Sequence, residues 1–306
     1  MLDLYVFKND GKMPDGRDLT QNSVGLPPRV GELVLSQSKG FRPPAPVICT
    51  NPFLVKLLKT FLIPLIFFLC LQPCFALTDE EIQKVQTLLR DRPTGEKIAF
   101  WAEKFVGTPY DPDPLGEYVS KAAIVTDERV DCMYLIFRAV ELALSHSPEE
   151  AIQIALEKRF HSKGVLMDGR VMNYNDRFEY GEDMIESGKW GEEVTSKVGR
   201  VTKIKGSRGK DFVEFLPSAQ LLNGVKKLKS GDIVFFVKKP EKREVGEIIG
   251  HIGIIRVAKG QKDGGKGEAY LIHASGIKGK GGMVKEVLLR DYLSKMPFIG
   301  VRITRF

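Results

Sequence analysis

The sequence predicts an α+β protein in which helices come first and strands follow. Two observations carry that order. Apolar residues recur at helical spacing between residues 78 and 158, and after Leu228 the chain turns to short β-branched runs separated by glycine and charge. A third observation marks where the folded part begins: a hydrophobic run from Phe61 to Ala76 sits behind Lys56 and Lys59.

Residues 1–53 are rich in proline, glycine and polar side chains, as in Leu26-Pro27-Pro28-Arg29 and Arg42-Pro43-Pro44-Ala45-Pro46, with little apolar periodicity. They are expected to be disordered or to precede the true start of translation. No methionine lies between Met13 and Met133, so a start near Leu54 or Val55 would use a codon other than AUG. Residues 54–76 read as a signal peptide: basic flank, apolar core from Phe61 to Leu71, then Cys74-Phe75-Ala76 at the cleavage positions. A spanning helix takes about 20 apolar residues. This core is shorter and interrupted by Pro64, with Pro73 just beyond it, so no stable membrane span is expected in the mature form. Cleavage would remove Cys49, Cys70 and Cys74 and leave Cys132 as the remaining thiol of a periplasmic or secreted domain, residues 77–306.

Each element of that domain has a local reason. Thr78 and Glu81 form a capping box before a helix with Ile82, Val85 and Leu89 on one face. A second helix, from about Gly95 to Val106, buries Ile98, Trp101, Ala102 and Phe105 and stops at Gly107. A third begins at Cys132, and its broad apolar surface (Leu135, Ile136, Ala139, Val140, Leu142, Ala143) marks it as central. Ser147-Pro148-Glu149-Glu150 starts a fourth. An insertion of about 146–229 follows, with a short helix and a β-like segment, Val194 to Ile204, placed to wall a cleft. Asp232 to Val237, His251 to Val257, Ala269 to Ala274 and Phe298 to Ile303 read as strands. Gly260 to Lys266 has phosphate-loop spacing, but Gly267 stands where a hydroxyl residue is needed and a strand follows, so a hairpin connection is expected.

The net charge is +7 and the isoelectric point about 9.1. Basic residues alternate with acidic ones and form no stripe with interleaved aromatics, which argues against nucleic acid and suits an anionic polymer such as peptidoglycan. Lys278, Lys280 and Lys285 read as a solvated face.

Cys132 carries the chemistry. It follows Asp131, a helix-capping residue type, and a thiol at a helix start is expected to ionise more easily. His251 and His273 are two of only four histidines. Strand alternation puts His251, Gly253 and Ile255 on one face and Leu271 and His273 on one face, so pairing of the two strands would bring both rings together. His251 is then the base and His273 its orienter, and Gly250 and Gly253 are expected to leave room for substrate backbone. An inert packed cysteine is the plain alternative, weakened by the oxidation risk of a lone thiol in an exported protein. His146 and His161, in polar junctions, take no role. A zinc site built on Cys132, His251, His273 and a carboxylate stays open, as does a non-catalytic wall-binding module.

Gly107-Thr108-Pro109-Tyr110, Asp131-Cys132, Ser230-Gly231-Asp232-Ile233-Val234-Phe235-Phe236, Gly250-His251-Ile252-Gly253-Ile254 and Leu271-Ile272-His273-Ala274-Ser275 follow the motif order of the NlpC-type papain-like cell-wall cysteine peptidases. The resemblance covers most of residues 95–306. Within that superfamily the long insertion, including Asn175-Asp176-Arg177-Phe178-Glu179-Tyr180, resembles the N-acetylmuramoyl-L-alanine amidase-like branch. It implies a circularly rearranged papain-like fold, with N-terminal helices packed on a C-terminal antiparallel sheet or partial barrel. It also implies Cys132 as nucleophile, His251 as base, His273 as third polar residue, and Tyr110 and Asp131 beside the substrate, without metal or cofactor. The implied substrate is peptidoglycan or a muropeptide. The bond is N-acetylmuramoyl-L-alanine, or alternatively the γ-D-glutamyl bond to the diamino acid. Met133-Tyr134 stands where the wider family has a small Ser-Gly pair, and Asp111-Pro112-Asp113 where it has Trp-Gly-Gly, which favours the amidase branch.

Overall fold

The computed structural model describes residues 77–258 and 267–306. The expectations for residues 1–53, for the signal peptide at 54–76 with Cys49, Cys70 and Cys74, and for the run from Gly260 to Lys266 fall outside the described residues.

Helices open the domain: α1 (Asp79–Leu88), α2 (Thr94–Lys104), a single turn α3 (Glu117–Ser120), α4 (Cys132–Leu144) and α5 (Pro148–Lys158). The Thr78 hydroxyl accepts from the Glu81 amide at 3.2 Å and Glu81 accepts from the Thr78 amide at 3.0 Å, the capping box that the sequence predicts. Ser147 caps α5 by accepting from the Glu150 amide at 3.2 Å, with Pro148 in the first turn. Between α5 and the main sheet lie β1 (Leu166–Met167), β2 (Arg170–Val171), α6 (Gly181–Glu186), β3 (Glu192–Glu193), α7 (Thr195–Val198), β4 (Thr202–Lys205), β5 (Phe212–Pro217) and α8 (Ser218–Gly224). The chain closes with β6 (Ile233–Val237), β7 (Ile249–Val257), β8 (Ala269–Ile277), β9 (Gly281–Leu288), α9 (Leu289–Lys295) and β10 (Gly300–Arg305).

Among the described residues, eight strands form one antiparallel sheet in the order β4-β5-β10-β6-β7-β8-β9, with β3 added to β10, and β1 pairs with β2 in a separate two-stranded sheet. Because successive side chains alternate, each strand serves two cores. Ile233, Phe235, Ile252, Ile254, Ile272 and Ala274 bury one face against helices, including Ile98, Trp101 and Ala102 of α2 and most of α4. Val234, Phe236, Leu271, Val301 and Ile303 bury the other beneath Leu289 and Tyr292 of α9 and Leu221 of α8. Residues 107–110 run along the outer edge of β9: the Gly107 amide donates to Val284, the Val284 amide to Thr108, and the Tyr110 amide to Gly282 at 2.8 Å. Mixed helix and antiparallel sheet is thus the observed class, as the sequence predicts.

The structure departs from the sequence reading in three places. The stretch expected to be β-like from Val194 is first a helical turn, because Val194 and Val198, four apart, are both buried, and strand pairing starts only at Thr202. β9 and α9 were not foreseen; in β9 the Lys285-Glu286 pair interrupts the apolar signal. Third, α4 is not purely apolar. Arg138 forms a forked ion pair with Asp127 (2.9 and 3.0 Å), and Glu141 accepts two bonds from Arg159 of the turn after α5 (2.6 and 2.7 Å). All four side chains are buried.

Candidate active site

Asp131 fixes the start of α4. One carboxylate oxygen accepts from the Tyr134 amide at 2.8 Å, and the other lies 3.3 Å from the Lys278 ammonium. This cap places Cys132 at the first helical position, pointing its thiol at β7, where the backbone amide of Ile252 faces the sulfur.

The sheet opens at that point. The β7–β8 ladder runs from Val257↔Ala269 to Ile254↔Ile272, and beyond it the two strands separate. His251 and His273 stand across the separation, joined from Nε2 of the first to Nδ1 of the second at 2.9 Å. The structure therefore brings the two rings together as alternation predicts. Phe298 stacks on the His251 ring at 6.5 Å with an 11° tilt, and Tyr292 meets the His273 ring at 4.8 Å. Both histidines are buried.

Burial dominates the electrostatics. It pushes the Cys132 thiol up to about 12, and the Asp131 carboxylate adds to the rise, while Lys278 and the Ile252 amide oppose it. The sequence expectation of an easily ionised thiol at a helix start is corrected here, because desolvation outweighs the helix terminus. Burial also holds His251 well below the ordinary imidazole range, with His273 adding to the effect. It lowers His273 to about 4, with Lys285 second. The resting trio is neutral: thiol, imidazole, imidazole.

Cys132 and His251 line one pocket of about 260 Å³ together with Glu179, Tyr180 and Gly181. Met133, Glu179 and Tyr180 continue from it into a cleft of about 490 Å³ that also has Asp131, Tyr118 and Arg177 in its walls. Residues 177–181, inside the segment expected as an insertion, thus form one wall. Tyr110 is buried, its ring resting on Gly276, where a β-carbon would overlap it, and it does not line either of these two pockets. Asp131 reaches the cleft with both carboxylate oxygens engaged. The space beside Gly250 and Gly253, expected to admit substrate, is filled by Lys238 and Phe298 and by Leu271. His146 and His161 take part in local contacts, the former donating its amide to Glu150 and the latter packing its ring on Phe178.

Several supporting residues escaped the sequence reading. Glu182 is fully buried and accepts from the Ile248 and Ile249 amides at 3.0 and 3.2 Å, fixing the start of β7. Arg208, at the β4–β5 turn, pairs with Glu182 and Asp183 and lies 3.5 Å over the Tyr180 ring. Lys278 is largely buried against Asp131 and the Asp113 carbonyl, so its reading as a solvated lysine is corrected. The one sequence signal for these was the Glu182-Asp183 pair following an aromatic cleft residue.

Among the described residues, no three His, Cys, Asp or Glu side chains are grouped to hold a metal ion, and no helix is long and apolar enough to cross a membrane. No family model and no curated protein matches the sequence. Solved structures do match the fold. A crystal structure of an N-acetylmuramoyl-L-alanine amidase from Bacteroides uniformis superposes with a TM-score of 0.52 at 21% identity, covering 69% of this chain and 98% of that one. A Legionella pneumophila protein of the DUF1460 family superposes with a TM-score of 0.53 at 16% identity, covering 74% and 93%. At these identities the likeness establishes a shared fold.

Proposed function

We propose that this chain is a thiol hydrolase that cleaves an amide bond in peptidoglycan or its fragments, with N-acetylmuramoyl-L-alanine as the bond. The carrying observation is the His251–His273 pair at 2.9 Å, with Cys132 and His251 lining the same pocket. The amidase activity named for the Bacteroides neighbour, borne on the same fold, supports that choice of bond.

His273 holds Nε2 of His251, so Nδ1 is the nitrogen that exchanges a proton with the thiol. Since the trio rests neutral, His251 takes the proton as the sulfur attacks the carbonyl carbon, and no thiolate need accumulate beforehand. The carbonyl oxygen gains the electron pair, steadied by the Cys132 backbone amide at the open end of α4. His251 passes its proton to the leaving L-alanine nitrogen, the C–N bond breaks, and a thioester remains. Water, deprotonated by His251, then releases the muramoyl acid and restores the thiol. Residues 54–76 would export the chain to the compartment that holds this substrate.

The test is incubation with defined disaccharide-peptides and weighing of the products. Free disaccharide plus intact stem peptide is expected. A disaccharide-dipeptide would move the cut to the γ-D-glutamyl bond. Iodoacetamide should stop turnover and chelators should not; the reverse would support a zinc enzyme. Cys132→Ala is expected to be inactive and folded, and wild-type turnover in that variant would sink the nucleophile assignment.

A further inference from the structure

The cap that positions Cys132 creates an electrostatic difficulty. Asp131 accepts from the Tyr134 amide at 2.8 Å, and its carboxylate lies one residue from a sulfur that becomes negative whenever it gives up its proton. Both side chains are buried, so water screens little of that repulsion. The chain meets this from the far side of the sequence. Lys278, in the turn between β8 and β9, reaches back to the second Asp131 oxygen at 3.3 Å and donates to the Asp113 carbonyl. Only 15% of its side chain is exposed, and its ammonium stands 5.7 Å from the Tyr110 ring centre. The turn itself is pinned to the same loop, since the Gly279 amide donates to Pro112 at 3.0 Å.

We propose that Lys278 is a positioning residue for the thiol: it neutralises the capping carboxylate, so that Asp131 can hold the start of α4 without repelling negative charge on Cys132. This deepens the thiol-hydrolase reading and rests on it only for the identity of the substrate. The other titratable groups around the sulfur are His251 of β7, and Glu179, Tyr180 and Glu247 in the pocket wall, while Asp111 flanks Lys278. Glu247 is paired with Lys238 and Glu179 with Arg177, which leaves Asp131 as the carboxylate that Lys278 engages directly.

The experiment follows alkylation of Cys132 by iodoacetamide across pH, read on the Cys132 peptide by mass spectrometry, in the full chain and in variants. Lys278→Met is expected to slow the reaction about tenfold across the neutral and mildly alkaline range, the equivalent of one charge interaction. Lys278→Arg keeps the charge and should stay close to the wild type. Asp131→Asn keeps a capping side chain. Adding it to Lys278→Met should therefore restore the profile, which a purely structural lysine would not allow. An unchanged profile in Lys278→Met, or failure of Asp131→Asn to rescue it, overturns the proposal. Because alkylation needs no amide substrate, a slowed profile in a protein that cuts no wall fragment would uphold this inference and refute the amidase reading alone.

Discussion

Replacing His273 by Asn should flatten part of the protein's acid sensitivity. In the folded chain His273 binds its proton at about 4, whereas an unfolded histidine does so near 6.5. Between those values the unfolded state holds a proton that the native state lacks, so stability is complete above the unfolded value and is lost as pH falls toward the folded one. Carried from about pH 7 to about pH 5, that difference amounts to about 2 kcal/mol. Asn places an amide where Nδ1 meets His251 Nε2, keeps a hydrogen bond possible there, and does not titrate. Urea unfolding of both proteins at the two pH values gives four free energies. His251 is present in both chains, so the expected result is a wild-type advantage that shrinks by about 2 kcal/mol at the lower pH. An advantage that stays constant within about 0.5 kcal/mol would mean that His273 is not desolvated as described, and the neutral resting trio would go with it.

Activity should carry the same signature: kcat/KM on a disaccharide-peptide is expected to stay level from about pH 7 to about pH 5, since the acid limb reports the free-enzyme histidine pair. Half-maximal activity near 6.5 would contradict it. Arg159→Met takes from buried Glu141 both of its guanidinium hydrogen bonds and leaves it only Arg138 at 3.9 Å, and should cost about 3 kcal/mol in urea unfolding, much of it recovered when Glu141→Gln is added. Arg208→Ala removes the cation over Tyr180 and one partner of Glu182, which keeps its two amide donors. A loss of about 1–2 kcal/mol is expected, with a higher KM for the fragment. His273→Ala should retain more turnover than His251→Ala, because orienting a base is a smaller task than being it; equal losses would count against that division of roles.

What was legible in the sequence was whatever is local. The Asp131 cap, the start of α4 and the shared face of His251 and His273 depend on spacings of a few residues, which periodicity reports directly. What was hidden depends on partners far away in the chain. Arg138 and Glu141 sit inside an apolar run that reads as plain core, and their counter-charges come from Asp127 and Arg159 on other segments. Lys278 looks like any lysine beside a glycine turn until the fold sets it against Asp131, 147 positions earlier. The thiol's ionisation was misjudged for the same reason: the helix start is visible in the sequence, and the depth of burial is not.

The strip of backbone from Gly107 to Tyr110 that lies along β9 has a consequence beyond the site. A sheet whose outermost strand offers free amides invites another chain to add to it, and here the Gly282 to Val284 stretch of that strand is already paired. At the opposite end, β4 is paired on one side only among the described residues, and it is four residues long with Lys203 and Lys205 exposed. Shortness and positive charge make that rim a poor template. Both margins of the sheet are thus guarded against self-association, one by cover and the other by repulsion.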